Sequence, residues 1–320
     1  MINWQTTALV FPGQGSQAVG MGAEIAAQYP VAREVFAQAD ALLGLPFSKL
    51  CFEGPAEQLD ETYNTQPALF ITGIAILAAL NAELAARGQS PATPANVAGH
   101  SLGELTALVA AGAMEFGPGL KLVRERGRLM REAGEKSPGA MAAILGLDID
   151  ALRQLCAEAC TATGGVLVVA NDNCPGQTVI SGDDQTLEYA LPLAKERGAK
   201  RALKLAVSIA AHSPLMAVSQ EEFRTAVKNT SITVPKTPVI GNVSAAPLTT
   251  AAMIQDELSA QLTSPVRWTE SVQAMTRAGI THFIELGPKA VLAGLVKRIN
   301  KEASAACVEN PAQLAALLDS

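Results

Sequence analysis

Short apolar runs that end in glycine-rich turns alternate with longer stretches of helical periodicity over the first hundred residues. Ala8 to Phe11 is one such run, broken at once by Pro12 and Gly13, and Asn96 to Ala98 is a second, closed by Gly99. Helix-forming stretches fill the interval through Leu80, and this alternation predicts an α/β fold with a parallel sheet. At Ala140 the rhythm changes. Ala140 to Leu145, a helix from Ile149 to Thr161, Val166 to Val169, Gln177 to Ser181, a helix from Asp184 to Arg197 and Arg201 to Val207 spell βαββαβ, the order of a small ferredoxin-like unit. The first style then returns, with a strand expected at Pro238 to Gly241, a helix around Met253 to Leu262, a strand at His282 to Glu285 and a closing helix after Pro288. The expected organisation is a large α/β domain over residues 1–137 and 208–320, with the ferredoxin-like domain inserted at 138–207.

With 320 residues, 49% of them hydrophobic and 17% charged, the chain is large enough to bury an extensive core. A net charge of -6 and a pI near 5.2 argue against a general nucleic-acid binder, so an anionic ligand must meet a local basic patch. Two clusters offer one: Lys195, Arg197, Lys200, Arg201 and Lys204, and, near the C-terminus, Lys289, Lys297, Arg298 and Lys301. Most of these are expected to be solvated, and Lys200 and Arg201 stand out because their run leads toward His212.

Cys51, Cys156, Cys160, Cys174 and Cys307 are an odd set read as reduced thiols. The three histidines, His100, His212 and His282, lie away from them, and no metal is expected. The N-terminus shows no secretory pattern. The longest apolar stretch, Ala68 to Leu80, falls short of a bilayer span and reads as a buried helix starting behind Pro67. A cytoplasmic protein without membrane contact is the expectation.

Gly99-His100-Ser101-Leu102-Gly103 matches G-x-S-x-G, preceded by an apolar strand end and followed by a helix-forming run from Glu104 to Ala111. In that setting the glycines allow a tight turn that exposes the serine hydroxyl, and the helix aims free N–H groups at it. The pentapeptide is equally compatible with a capping serine, Glu104 being the acidic first-turn residue of any helix. A second turn, Phe11-Pro12-Gly13-Gln14-Gly15-Ser16-Gln17, tips the reading toward acyl chemistry, because the Gln14 backbone would supply another oxyanion donor. Gly13, Gly15 and Ala18 also fit G-x-G-x-x-A, yet no clear second strand ending in an acid follows, so an oxidoreductase is the minor alternative.

Both turns together closely resemble those of the malonyl-CoA:acyl carrier protein transacylase family, the acyltransferases that load malonyl groups onto carrier proteins. Seven further blocks in order carry the likeness nearly end to end: Thr65-Gln66-Pro67-Ala68, Arg126-Gly127 with Met130, Gly139 to Ala143, Pro175-Gly176-Gln177, His212 to Met216, Ser264 to Trp268, and Glu285 to Pro288. The resemblance implies an α/β-hydrolase-like large domain. It implies Ser101 as nucleophile, His212 as general base, the Gln14 and Leu102 amides as oxyanion hole, and the Gln261 carbonyl as the group that orients the imidazole. It further implies Arg126 as the fork for the malonyl carboxylate, malonyl-CoA and holo acyl carrier protein as partners, no cofactor, and a monomer supplying fatty-acid synthesis.

Residue chemistry is consistent with these roles. His212 stands where a β-like run from Ala206 to Ala211 ends, and an unperturbed histidine titrates near 6.5. On the helical stretch Leu122 to Arg128, Arg124 and Arg128 share a face read as solvated, while Arg126 lies nearer the apolar stripe. Lys200 and Arg201 are candidate contacts for coenzyme A or carrier protein, and Asn171 and Asn173 are candidates to line the cleft between domains, with ordinary hairpin-turn residues as the default reading. A polyketide acyltransferase or a malonate decarboxylase loading subunit would share nearly every residue named. Small residues Ile209-Ala210-Ala211 leave methylmalonyl as a conceivable substrate. A serine thioesterase or hydrolase would need a carboxylate behind His212, from Asp148, Asp150, Asp172, Asp183 or Asp184, and a non-catalytic docking module would never be acylated.

Overall fold

The computed structural model describes residues 2–319, which form two sheets of unlike construction. Six strands make the first, in the order β10 (Ser304–Val308), β9 (His282–Leu286), β1 (Thr7–Phe11), β2 (Asn96–Gly99), β7 (Val239–Ile240) and β8 (Pro247–Leu248). All neighbours are parallel except β7 and β8. β1 and β2 are buried at every position, which accounts for their unbroken apolar runs. The antiparallel β8 and the edge strand β10 were not anticipated: β8 is two residues long, and the small residues of β10 carry little strand signal.

Four strands make the second sheet, β4 (Leu167–Cys174), β5 (Gln177–Gly182), β3 (Ala140–Leu145) and β6 (Arg201–Lys204), in that spatial order with every neighbour antiparallel. Helices Ile149–Thr163 and Asp184–Glu196 complete the βαββαβ order. Asp148 and Asp183 cap them by accepting amide hydrogens of the first turns. The last strand is shorter than its apolar pattern suggests. β6 lies on the sheet edge, its pairing ends near Met141, whose carbonyl accepts from Leu205 N–H at 2.8 Å, and residues 205–213 leave the ladder as an irregular segment. His212 therefore follows a loop rather than a strand.

The longest helix, Thr62–Ala86, runs through the interior with Thr65 to Gly73 fully buried. By length and composition it is the one described helix able to span a membrane, but here its apolar face packs on helices Pro30–Leu43, Leu102–Ala110 and Phe116–Lys136. Pro67 lies inside it rather than at its start. Lacking an N–H, Pro67 leaves the Tyr63 carbonyl without an intrahelical donor, and Arg124 Nη1 supplies one at 2.6 Å. Arg124 also lies over the Tyr63 ring, so it is a packed, half-buried residue and not the solvated one its spacing suggests. His282 is exposed at the start of β9.

Helix Leu102–Ala110 crosses β1 so closely that a Cβ on Gly103 would lie 2.0 Å from the Phe11 carbonyl oxygen. Gly294, on the exposed side of helix Val291–Ile299, would meet nothing within 4 Å. Gly103→Ala is thus expected to destabilise by about 2–3 kcal/mol, and Gly294→Ala to stabilise by about 0.5–1 kcal/mol. Urea midpoints of the two variants measure the contrast, and equal midpoints would refute the crowding at Gly103.

Candidate active site

A cavity of about 500 Å³ opens between the two sheets, where the C-terminal ends of the parallel strands meet the second sheet. Gln14 and Ser101, on the turns after β1 and β2, contribute to its wall, as do Arg126, His212, Asn171 and Asn173. The G-x-S-x-G turn is as tight as its glycines suggest. Ser101 has φ 52° and ψ −108°, and a Cβ on Gly99 would lie 1.9 Å from the backbone of Gly103. Helix Leu102–Ala110 begins immediately afterwards, so the Leu102 amide has no intrahelical acceptor and the positive end of the dipole lies beside the serine.

Ser101 Oγ and His212 Nε2 are 2.8 Å apart. On the far side of the ring, Nδ1 lies 3.0 Å from the Gln261 carbonyl and 3.1 Å from that of Ser264. Two carbonyls accept only from an N–H, which fixes the proton on Nδ1 and leaves Nε2 as the acceptor for the serine hydroxyl. No carboxylate takes part. Asp148 and Asp183 cap helices, Asp150 and Asp184 pair with Arg153 and Lys204, and Asp172 accepts from Thr269. Burial, reinforced by the positive charge of Arg126 and by His100, pushes the His212 pKa down from 6.5 to about 3. The unperturbed value anticipated from the sequence is therefore replaced by an imidazole that stays neutral well into acid.

Arg126 is 1% exposed and held on two sides: its Nε donates to Gln261 Oε1 at 3.0 Å and its Nη1 to Gln66 Oε1 at 2.7 Å. Nη2 donates to Ser101 Oγ at 3.0 Å, placing the planar fork beside the nucleophile. Burial lowers the guanidinium pKa to about 10 while the neighbouring Glu104 raises it, so the group remains a cation at neutral pH. Glu104 is not an exposed first-turn residue but is fully buried beneath the turn, accepting from the Asn242 amide at 3.1 Å and from Gln261 Nε2. Desolvation and Glu257 raise its pKa well above the ordinary carboxylate range, against the lowering effect of those hydrogen bonds and of Arg126.

Asn171 and Asn173 belong to β4 rather than to a turn. Asn173 Oδ1 lies 2.8 Å from His100 Nε2. Lys200 and Arg201 do not reach the cavity: both are exposed near the start of β6, four or five residues before the wall residue Leu205. Their cluster is partly neutralised, Arg197 pairing with Glu158 and Lys204 with Asp184 and Glu188. After β1, Gly13 to Ala18 do not open a helix, the next one beginning only at Ala23, so the dinucleotide fingerprint lacks the helix N-terminus it needs. Among the described residues no group of three or more histidine, cysteine, aspartate or glutamate side chains is placed to hold a metal.

The acyl transferase domain family matches residues 8–316. A malonyl CoA-acyl carrier protein transacylase of Bacillus subtilis is 47% identical over 304 residues, covering 95% of this chain and 93% of that protein. Its Escherichia coli K12 counterpart is 43% identical, covering 98% of both. The crystal structure of an acyl carrier protein S-malonyltransferase from Vibrio cholerae superposes with a TM-score of 0.91 at 44% identity, covering 98% of this chain and 99% of that one. A malonyl-transacylase solved in complex with a type II polyketide synthase acyl-carrier protein superposes at 0.92 with 40% identity, covering 98% of this chain and 99% of that one. With an acid-free serine–histidine pair and a buried arginine in one cavity, and with these relatives matching it from end to end, the chain belongs to the acyl transferase domain family of malonyl-CoA:acyl carrier protein transacylases.

Proposed function

We propose that the chain transfers malonyl groups from malonyl-CoA to the phosphopantetheine thiol of holo acyl carrier protein through an ester on Ser101. The observation that carries this reading is the convergence of Ser101, His212 and Arg126 on one hydroxyl, with hydrogen-bond distances of 2.8 and 3.0 Å. In the first half-reaction, Nε2 of neutral His212 takes the serine proton as Oγ attacks the thioester carbonyl. The Gln14 and Leu102 amides receive the developing oxyanion. The imidazolium, steadied by the Gln261 and Ser264 carbonyls, then protonates the departing coenzyme A thiolate. The carrier thiol reverses these steps.

Arg126 gives the site its preference for a dicarboxylic acyl group, because the malonyl carboxylate pairs with its fork and an acetyl group leaves a buried cation unanswered. Side chains and backbone amides supply every group in this scheme, so it calls for no cofactor. Fatty-acid synthesis in the cytoplasm is the setting we infer, with the enzyme acting as a monomer; five unpaired cysteines suit a reducing compartment. We further propose the domain division 1–137 with 208–320, and 138–207, which the change of sheet at β3 and the end of β6 supports.

Intact mass after brief exposure to malonyl-CoA should show one malonyl adduct in the wild type and none in Ser101→Ala, and holo carrier protein should remove it faster than water does. Clearance by water at an equal rate would make the protein a hydrolase. Arg126→Ala is expected to slow malonylation roughly 100-fold, about 3 kcal/mol, and to abolish the preference over acetyl-CoA, both read from single-turnover acylation.

The depressed pKa of His212 sets the sign of the pH dependence. A base that protonates only near pH 3 is unprotonated at pH 5 and above, so single-turnover acylation should stay flat from pH 8 to pH 5. A histidine titrating at about 6.5 would lose roughly 30-fold over the same range, and such a loss would contradict the buried, cation-flanked environment.

A further inference from the structure

We propose that Asn242, anchored through Glu104, is a positioning residue for acyl transfer: it braces the Ser101 backbone in the conformation that aims Oγ at His212, without touching the substrate. The proposal rests on the reading of Ser101 as the nucleophile. A serine at φ 52° and ψ −108° occupies a sparsely populated backbone region, and such a conformation persists only where its surroundings over-determine it. The side-chain amide of Asn242 grips both flanks of that turn. Its Oδ1 accepts the Ser101 N–H at 2.6 Å, and its Nδ2 donates to the Gly99 carbonyl at 2.7 Å. One planar group bearing an acceptor and a donor fits this task, whereas aspartate lacks the donor and leucine lacks both.

The brace is itself fixed. Asn242 is 1% exposed, its N–H donates to Glu104 Oε1 at 3.1 Å, and its carbonyl accepts from Arg267 N–H at 2.9 Å. The turn that carries it is held from both sides. The Glu257 carboxylate accepts the Val243 and Ser244 amides, and Arg267 Nη1 donates to the Val243 and Ser244 carbonyls at 3.0 and 3.2 Å. Neither Asn242 nor Glu104 forms part of the cavity wall. Because Asn242 occupies the Ser101 amide, that N–H is not available to an oxyanion, which leaves the task to the neighbouring Leu102 and Gln14 amides.

The experiment follows Ser101 with a fluorophosphonate, a probe that reads an activated serine whatever acyl group the enzyme uses. Asn242→Ala is expected to react about 100-fold more slowly than wild type, the scale of a misplaced reacting atom. In a Ser101→Ala background, adding Asn242→Ala should leave the Kd for malonyl-CoA within twofold. Asn242→Asp, which keeps the acceptor and the size but loses the donor to Gly99, should fall between, and it carries the test if the alanine variant does not fold. A cooperatively folding Asn242→Ala or Asn242→Asp that reacts within threefold of wild type overturns the brace, as does a tenfold change in Kd. Wild type that reacts with the fluorophosphonate yet accepts no malonyl group would defeat the transferase reading while leaving the brace to be judged on the probe alone.

Discussion

Helix Leu102–Ala110 lies so close across β1 that neither Gly103 nor Gly99 has space for a methyl group, and the geometry of the site follows from that contact. A chain that must leave β2 and enter the helix within one residue has only a strained turn open to it, and Ser101 is the residue that takes it. The same closeness brings the free N–H end of the helix level with the end of β1. Two distant stretches, the turn carrying Gln14 and the helix start at Leu102, thereby line one cavity with Ser101. Packing between these backbone segments sets the path of the turn on which the serine sits.

Charge is managed with comparable economy. Arg126 is buried without a direct salt bridge. Two glutamine carbonyls, from Gln66 and Gln261, saturate part of its fork, and Glu104, pushed toward its neutral form by burial, lies on the other side of the Gln261 amide. Neutral amides hold the guanidinium without cancelling it, so an incoming carboxylate still meets positive charge. Gln261 contributes at three points: its side chain links Arg126 to Glu104, the same amide donates to the Ser101 carbonyl at 3.0 Å, and its own carbonyl orients His212. Arg126 and His212 are thus held by one residue.

Much of this was legible in the chain itself. Apolar runs closed by glycine turns marked β1 and β2 because buried parallel strands need continuous hydrophobicity, and the change of rhythm at Ala140 marked the antiparallel sheet. Ser101 announced itself through flanking glycines, and the resemblance pointed to His212, Arg126 and Gln261 at positions that the structure brings together. Asn242 and Glu104 left no such trace: each is a single polar letter whose importance depends on a partner more than a hundred residues away. Lys200 and Arg201 are visible in sequence as a basic run, and the structure places them exposed near the start of β6, outside the cavity wall. The run after β6 looked like strand because its residues are apolar, although it is the cavity and not a neighbouring strand that they face.

The second sheet is not merely adjacent to the catalytic one. β4 exchanges two backbone hydrogen bonds with the segment before Trp268, Asp172 N–H to Val266 O at 2.9 Å and Val266 N–H to Ala170 O at 2.8 Å. That segment also contains Ser264, whose carbonyl steadies the His212 ring two residues upstream of the seam. The small sheet is therefore fastened beside His212, while residues 206–211 run on past the end of β6 without a strand partner and contribute Ala206, Val207, Ile209 and Ala211 to the cavity wall. Whatever holds the second sheet in place therefore also holds the carbonyl against which His212 rests.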